Sequence, residues 1–502
     1  MALHDDRRPP PSQAPSLAHD ILVIGGGVNG AGIARDLAGR GYSVLLAERG
    51  DLAGATSSNS SKLIHGGLRY LEHYEFRLVR EALAEREVLL RVAPHIIWPL
   101  RFVLPHRPEM RPRWMIRAGL FLYDHLARRV SLPAAQGFRT DADPLGAALK
   151  PAITHAFAYS DAWVEDSRLV LLLARDAALR GADIRTRTEF EGATRHEGHW
   201  EVRLRGPDAQ GQRFRVRAIV NAAGPWVQEA LDSTAVPRPG AVRLIRGSHI
   251  IVPRLYEGEH AFILQNDDRR VVFVIPYEGE FSLIGTTDVP HAGGPAICTP
   301  EETAYLCTAV SRQLRRPVSP VDVVHSYSGV RPLYDDGAAD PSAVTRDYVL
   351  KLDTKAAPLL SVYGGKITTF RRLAEEAAGQ VGGALGRAGT PWTATATLPG
   401  GDITDRAAFA AEMARALPFL EARHLPRLIR THGSLLPEVF AGGGAGADLG
   451  AGLTEAELDW MLRHEWARTA EDVLWRRTKL GLHMAPAEQE RLAARLTPVP
   501  AA

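Results

Sequence analysis

The sequence of 502 residues predicts an α/β protein that combines a discontinuous Rossmann-like domain, an antiparallel-sheet domain and a C-terminal α-helical domain. Three observations predict this fold class. A glycine-rich turn joins a short apolar strand to a helix within residues 20–47. Residues 241–340 are mostly strand-like, with short turns. Beyond residue 400 the pattern is helical, and one helix is expected to begin at the capping-box residues Thr454 and Glu457.

Composition and charge are those of an ordinary globular protein, with 45% hydrophobic and 24% charged residues. A net charge of +2 gives no general attraction to nucleic acid, and no nucleic-acid-binding module is recognisable. The two cysteines, Cys298 and Cys307, exclude a disulfide framework and a cysteine-based metal cluster, so a reducing compartment and no metal are expected. The chain has no run of about 18 apolar residues, the length needed to span a membrane.

The glycine-rich turn is the first functional signal. Gly25, Gly27 and Gly30 fit the G-x-G-x-x-G pattern between a strand and a helix, where glycines permit a tight turn and close approach of the backbone to a pyrophosphate. Glu48 ends the second strand and suits ribose hydroxyls. A merely structural turn is the alternative, but the strand, the helix and the acid all in place favour dinucleotide binding.

Three further segments favour FAD over NAD. A hydroxyl-rich loop at residues 56–61 follows the dinucleotide unit, although alone it would be read as a serine-rich surface turn. Two later strands end at Gly224 and at Gly365, as is typical of a flavoprotein chain that returns to one cofactor. The residues expected to contact FAD are Gly25, Gly27, Asn29, Gly30, Glu48, Thr56, Ser57, Ser58, Ser61, Lys62, Leu63, His65, Gly66, Gly67, Ala223, Gly224, Trp226, Gly365, Lys366 and Thr368.

The expected domain organisation follows from these returns. Residues 1–19 are polar and proline-rich and are expected to form a disordered extension. The remaining segments are assigned as FAD-binding domain (20–95, 151–240 and 346–388), basic aromatic segment contributing to the membrane or substrate domain (96–150), substrate domain (241–345) and C-terminal helical domain (400–495).

Six motifs and a tail segment resemble the family of FAD-dependent glycerol-3-phosphate dehydrogenases, in order and from Asp20 to about Leu482. They are residues 61–72 (SKLIHGGLRYLE), 246–249 (RGSH), 284–288 (IGTTD), 327–332 (YSGVRP), 345–348 (TRDY), 364–369 (GGKITT) and 465–479 (EWARTAEDVLWRRTK). The resemblance implies oxidation of sn-glycerol 3-phosphate to dihydroxyacetone phosphate by hydride transfer from C2 to FAD N5. It also implies that electrons pass to a membrane quinone, ubiquinone or menaquinone, from a cytoplasmic protein held peripherally on the inner face of the cell membrane.

Two alternatives use the same motifs. An oxidase would pass the electrons to oxygen and release hydrogen peroxide. A non-catalytic flavin-binding membrane adaptor is disfavoured, because candidates for the base and for phosphate binding are present. The sequence does not determine the oligomeric state, and a homodimer is one possibility.

Arginines are the expected phosphate ligands, because the guanidinium fork binds phosphate oxygens bidentately. By resemblance, Arg69, Tyr70, Arg331 and Arg346 surround the substrate, with the arginines on its phosphate side. For any single arginine of this arginine-rich chain, a solvated surface charge would be the simpler interpretation; the motifs favour these three.

Alcohol oxidation by hydride transfer also needs a base for the hydroxyl proton. His249 is the best candidate, because the unperturbed pKa of histidine is near neutrality. Lys366 is its rival or partner, stabilising the developing alkoxide or the reduced flavin. The catalytic candidates are thus His249, Lys366 and Arg331, with their roles left open.

The segment Arg101–Val130 holds seven arginines and two acids with aromatic and aliphatic residues between them. Basic charge next to apolar bulk suits an anionic membrane surface. The alternative is a basic helix that packs on its own core.

Overall fold

The computed structural model describes residues 17–130, 132–209, 211–268, 270–335 and 347–496, which form two sheets with helices around them. The strands of these residues are β1 (Leu17–Ile24), β2 (Val44–Ala47), β3 (Leu63–Ile64), β4 (Ile97–His106), β5 (Gln136–Arg139), β6 (His155–Val164), β7 (Asp183–Arg185), β8 (Glu189–Arg195), β9 (Trp200–Arg205), β10 (Gly211–Asn221), β11 (Ala241–Pro253), β12 (Ala261–Gln265), β13 (Val271–Tyr277), β14 (Phe281–Gly285), β15 (Val289–Pro290), β16 (His325–Asp335), β17 (Val349–Asp353) and β18 (Leu359–Tyr363).

The helices of the described residues are α1 (Val28–Gly39), α2 (Phe76–Val92), α3 (Arg113–His125), α4 (Asp166–Leu179), α5 (Val227–Asp232), α6 (Pro300–Ser311), α7 (Phe370–Ala384), α8 (Arg406–Ala416), α9 (Leu425–His432), α10 (Leu436–Val439), α11 (Glu455–His464) and α12 (Pro486–Leu496). A π-helix, Asp472–Thr478, lies between the last two.

The first sheet is the dinucleotide-binding sheet that the sequence predicts. Its strand order is β17-β18-β10-β1-β2-β7, and β8 and β9 extend it beside β10. Strands β18, β10, β1 and β2 run parallel, so their carboxyl ends meet at one edge. Four consecutive buried residues, Ile21–Ile24, reflect coverage of β1 on both faces.

The second sheet has the order β15-β11-β14-β13-β12-β4-β6-β3, with β16 beside β11 and β5 beside β6. Its strands between residues 241 and 335 pair antiparallel with one another, as their strand-like sequence predicts, although α6 interrupts them. A capping box at Thr299 and Glu302 begins this helix, a local signal that the strand-like pattern around it obscured.

Two expected boundaries are wrong. Residues 151–240 were assigned to the FAD-binding domain, yet β6 belongs to the second sheet, because its ten residues pair with all of β4. The disordered extension was expected to end at residue 19, yet β1 begins at Leu17, where the long strand β10 still offers a backbone partner at Phe214. Residues 1–16 lie outside the described part of the chain.

The C-terminal helices form two small cores of their own, one centred on Leu428 and Leu436 and the other on Met461 and Val473. The hydroxyl group of Thr454 accepts a hydrogen bond from the amide of Glu457 at the start of α11, as its sequence predicts. Among the described helices, none combines the length and the apolar character that crossing a membrane requires.

Candidate active site

The glycine turn joins β1 to α1 at the edge where the parallel strands end. Gly25 has a φ of +104°, and a Cβ there would lie 2.6 Å from the carbonyl oxygen of Ala222. At Gly30, a Cβ would lie 1.9 Å from the carbonyl oxygen of Gly25. Only glycine therefore allows this turn to close against the strand end of β10.

The amides at the start of α1 form part of the same edge. Gly27 precedes the helix without a side-chain cap, and the amide of Val28 donates to Ser57 Oγ at 3.0 Å. Glu48 accepts from the amides of Gly26 and Gly50 at 2.6 and 2.7 Å. Burial raises the pKa of the Glu48 carboxyl, and these two hydrogen bonds oppose that shift.

A cavity of about 450 Å³ opens at this edge. Predicted cofactor residues that line it are Gly25, Gly27, Asn29, Glu48, Thr56, Ser57, Ala223, Gly224, Trp226 and Gly365. Asn29 Nδ2 donates to the carbonyl of Gly364 at 3.0 Å, whereas its buried Oδ1 has no partner among the described residues. A helix N-terminus, glycines without side-chain bulk and an acid on the neighbouring strand fit a dinucleotide.

The other predicted cofactor residues lie away from this cavity. Gly30 is buried beneath the turn, and Ser58 bonds the carbonyl of Ala55 at 3.4 Å. Leu63 pairs with Trp163 in the second sheet. The remaining ones, apart from Lys62, do not line the cavity either; they are Ser61, His65, Gly66, Gly67, Lys366 and Thr368.

His249 is at the centre of the substrate side. On β11 it lies opposite Gly285 of β14 and Tyr327 of β16, and its ring stacks on Tyr327 at 4.8 Å. Ser61 Oγ lies 2.9 Å from His249 Nε2, while Nδ1 is buried without a partner among the described residues. Burial lowers the pKa of His249 to about 3, and the charges of Arg331 and Lys62 act in the same direction. The imidazole is therefore neutral at physiological pH, and the same shift makes it a weaker base than the free histidine on which the sequence argument rested.

Arg331 lies on the same face of the second sheet as His249. A Cβ on Gly247 would lie 2.4 Å from an Arg331 guanidinium nitrogen, so this glycine leaves room for the guanidinium group. Arg331 pairs with Asp288 at 3.2 Å and is 42% exposed. An exposed guanidinium group next to a buried neutral imidazole suits a ligand with an anionic end and a hydroxyl group.

Lys366 and Tyr70 meet beside the loop at residues 65–68. The Lys366 ammonium lies 4.2 Å from the centre of the Tyr70 ring. The amide of His65 donates to Thr368 Oγ1 at 3.2 Å. Burial lowers the pKa of His65; Asp161 opposes this shift and Lys366 adds to it. The structure thus brings together four of the predicted residues, namely His65, Tyr70, Lys366 and Thr368.

The Lys62 side chain is held in a buried ion pair. Its ammonium group is 1% exposed and binds both carboxylate oxygens of Asp166, at 2.8 and 2.9 Å, and the carbonyl of Ser58. A side chain held in a buried ion pair is not directed at the cofactor cavity. The reason is tertiary: Asp166 lies at the start of α4, 104 residues along the chain.

The side chains of two predicted arginines lie outside the described residues. Arg69 lies in a short 3₁₀-helix, Leu68–His73, and its side chain lies outside the described residues. Arg346 lies outside the described residues altogether.

Comparison with known proteins identifies the family. A family described as FAD dependent oxidoreductase matches residues 20–371, more than half of the chain. The chain belongs to this family. FAD is therefore its cofactor, as the sequence predicted. A second family, described as the C-terminal domain of alpha-glycerophosphate oxidase, matches residues 391–496 of this chain.

Individual relatives narrow the family further. The chain is 52% identical to the glycerol-3-phosphate dehydrogenase of Pseudomonas aeruginosa, with 96% of each chain covered. It is 51% identical to the D-erythritol 1-phosphate dehydrogenase of Brucella abortus, with 94% of this chain and 96% of the relative covered. The fold matches the glycerol-3-phosphate dehydrogenase of Bacillus halodurans complexed with FAD, with a TM-score of 0.72, 24% identity and coverage of 96% and 94%. The predicted resemblance and the predicted fold class are confirmed.

Sequence reasoning about this FAD-dependent oxidoreductase missed the residues that support the site. Tyr327 stood in a quoted motif, but its stacking on His249 depends on strand register. Another support lies behind the loop at residues 65–68, where Tyr123 Oη donates to Asp161 and accepts from the amide of Gly66 at 2.9 Å, while Arg86 binds Asp161 at 2.7 Å. No sequence signal marks this network, because its members lie on α2, α3 and β6.

Proposed function

We propose that this protein oxidises sn-glycerol 3-phosphate to dihydroxyacetone phosphate and passes the electrons on to a membrane quinone. The observation that carries the proposal is the neutral, buried His249 beside the guanidinium group of Arg331, on one face of the second sheet. Relatives that share half of the sequence and are named for the oxidation of polyol phosphates support it.

His249 is the proposed base. Removal of the C2 hydrogen with its electron pair must be matched by loss of the hydroxyl proton, which the neutral imidazole accepts. When bound, FAD supplies the two-electron acceptor. Burial and the charge of Arg331 keep the imidazole unprotonated before the reaction, and stacking on Tyr327 with the Ser61 contact fixes its orientation.

Charged residues are proposed to position the other end of the substrate. Arg331 binds the phosphate, releasing its exposed pair with Asp288. Arg69 and Arg346 belong to the same phosphate side by resemblance alone. Tyr70 and Lys366, which contact each other, are proposed to lie beside the reacting carbon, where the ammonium group would stabilise the developing alkoxide.

Lining of the cavity supports the cofactor assignments. Glu48 is proposed to bind the ribose hydroxyls, and the glycine turn at the start of α1 is proposed to lie against the pyrophosphate. Ser61, His65, Gly66, Gly67 and Thr368 are proposed to follow the cofactor toward the flavin ring. Lys62 is proposed to act indirectly, by fixing the loop that carries them.

Anaerobic mixing tests the substrate. Glycerol 3-phosphate is expected to bleach the oxidised flavin, and glycerol is expected to leave it unchanged because it lacks the phosphate that Arg331 binds. Equal bleaching by both compounds would contradict the phosphate site.

D-Erythritol 1-phosphate is a second candidate substrate, since a relative with 51% identity is named for it. It carries the same phosphate and one more hydroxylated carbon. Stopped-flow flavin reduction with both compounds separates the two functions: the physiological substrate is expected to have the higher ratio of rate constant to half-saturation concentration.

The electron acceptor separates a dehydrogenase from the alternative oxidase. With glycerol 3-phosphate and lipid present, ubiquinone or menaquinone is expected to be reduced at least tenfold faster than peroxide forms. A peroxide yield equal to the substrate consumed would establish the oxidase instead.

Helix α3 is the proposed contact with the inner face of the cell membrane. Trp114 is 70% exposed and Phe121 64% exposed, and Arg111 and Arg113 lie at its start. Apolar side chains next to arginines suit an anionic bilayer surface. Trp114→Ser with Phe121→Ser is expected to release the protein from anionic liposomes, whereas Val321→Ser, at an apolar residue 92% exposed outside this segment, is expected not to. Unaltered sedimentation of the double variant would contradict the proposal.

A further inference from the structure

The cofactor cavity has a wall that comes from the C-terminal domain. Glu471 and Arg476 line it, although they lie more than 400 residues beyond the glycine turn. Glu471 directly precedes the π-helix Asp472–Thr478, and Arg476 lies within it. The cavity is therefore closed on one side by a domain that contributes no strand to the dinucleotide-binding sheet.

The first connection is made through Asp51, three residues after Glu48. Its carboxylate accepts from Arg476 Nε at 2.6 Å, from Arg477 Nη2 at 2.8 Å and from Arg477 Nη1. The Asp51 and Arg477 side chains are 3% and 1% exposed. Separating them would leave buried charges without partners, which is far costlier than breaking an exposed pair.

A second connection is made through Asp472. Its carboxylate binds Arg187 at 2.5 Å and Arg476 at 2.6 Å. The amide of Arg187 donates to the carbonyl of Gly50 at 2.8 Å, so Arg187 also contacts the loop after β2. The residues that follow it, 188–190, line the cavity. The C-terminal segment therefore binds both loops that flank Glu48.

We propose that residues 471–477 form a clamp that retains FAD, and that Asp51, Arg187, Asp472, Arg476 and Arg477 are positioning residues for the cofactor. Arg476 uses its three nitrogens on Asp51, Glu471 and Asp472, so it acts by holding the loops rather than by direct bonds to FAD. The Glu48 end is where the fold places the adenosine ribose, so the clamp closes the adenosine end.

Docking of the clamp and binding of FAD are coupled equilibria, so each must favour the other. If a docked clamp favours FAD binding, bound FAD favours a docked clamp by the same factor. Undocking of the C-terminal segment is then expected to weaken FAD binding without involving the chemistry at His249.

Release of flavin from the holoenzyme tests the clamp. Arg476→Gln and Asp51→Asn are each expected to speed the release of fluorescent FAD by about tenfold, within the usual range of coupling between sites. Arg476→Lys, which keeps the charge at Asp51, is expected to recover part of the loss. The double variant Arg476→Gln with Asp51→Asn is expected to release FAD more slowly than the product of the two single effects, because both substitutions remove the Arg476–Asp51 pair.

Arg427→Gln is the matched control. Arg427 binds Glu457 at 2.7 Å within the C-terminal domain, and its side chain is 13% exposed compared with 12% for Arg476. This variant destabilises the domain without touching the cavity, so its FAD release rate is expected to follow the parent protein. If Arg427→Gln and Arg476→Gln release FAD equally fast, the clamp proposal is overturned.

Hydrogen–deuterium exchange tests the same proposal without a substitution. Removing FAD from the parent protein is expected to speed exchange in residues 465–478, and adding it back is expected to restore protection. Exchange in the 465–478 segment that is unchanged by FAD would overturn the clamp. This readout also serves if a substituted protein fails to fold.

Discussion

The two ends of the active site are built in different ways. At the cofactor end, the backbone of one short segment, residues 25–30, makes the site, and two missing Cβ atoms decide its shape. At the substrate end, side chains from distant strands make it, and Gly247 and Gly285 merely leave them room. The cofactor end therefore depends on local conformation, and the substrate end depends on strand register and burial.

The two ends also treat charge differently. Glu48 is surrounded by backbone amides, which can oppose its desolvation wherever the turn forms. His249 owes its low pKa to burial and then to two cations that are remote in sequence. Changes at the first end should therefore remove the cofactor, and changes at the second should impair chemistry in a protein that still binds FAD.

Gly30→Ala is expected to have the largest effect. The new Cβ would lie 1.9 Å from the carbonyl oxygen of Gly25, a backbone atom that cannot move without opening the turn. The purified variant is expected to lack flavin absorbance. Gly383→Ala in α7, where nothing lies within 4 Å, is the control and is expected to retain flavin. Full flavin content in Gly30→Ala would show that FAD binding does not depend on the close approach of the backbone at Gly30.

His249→Asn is expected to keep its flavin and to lose about 10²- to 10⁴-fold in kcat, the usual contribution of a general base. The measurement is the anaerobic rate of flavin reduction by glycerol 3-phosphate, together with the flavin-to-protein ratio. Loss of the flavin together with activity would place His249 in the cofactor end instead, and unchanged kcat would exclude it as the base.

Arg331→Ala is expected to lower kcat/KM roughly 30-fold, which corresponds to about 2 kcal/mol. This value is the lower end of the usual range for removing one partner of a hydrogen-bonded charge pair. The lower end applies because the Arg331 side chain is 42% exposed. Arg372→Ala, at a side chain 54% exposed on α7, is the control and is expected to be neutral. Equal kinetics for the two variants would remove Arg331 from the site.

Mild acid is expected to have the smallest effect. Burial lowers the pKa of His95 and of His249 to about 3, and that of His260 to about 4. Because the unfolded state takes up these protons near pH 6.5, the stability they confer is complete above that pH and is lost as the pH falls toward 4. When the pH falls from 7 to 6, proton uptake by these three histidines in the unfolded state lowers the free energy of unfolding by about 2 kcal/mol in total.

Calorimetry at both pH values checks this expectation, as a Tm lower by a few degrees at pH 6. His95→Gln removes one of the three groups and is expected to reduce the pH dependence of Tm. A Tm that stays constant from pH 7 to pH 5 would contradict the burial of neutral imidazoles.

The sequence predicted much of the fold where signals are local. The turn, Glu48 and the capping box at Thr454 each depend on neighbours within a few residues or one β-α-β unit. It failed at β6, where a pairing with β4 assigns a strand to the second sheet, and it did not anticipate that a distant aspartate binds the Lys62 ammonium group. Both failures concern partners that periodicity cannot reveal.

The sequence by itself determined the cofactor class and the family, because the glycine turn and the ordered motifs are contiguous patterns whose meaning does not require knowledge of remote contacts. Only the tertiary structure decided which residues face one another. The stacking of His249 on Tyr327, the position of Arg331 over Gly247 and the attachment of Arg476 to Asp51, 425 residues apart, arise from register and burial. Electrostatic effects in this protein depend on distance in space and exclusion of water, and neither quantity is encoded at a single position.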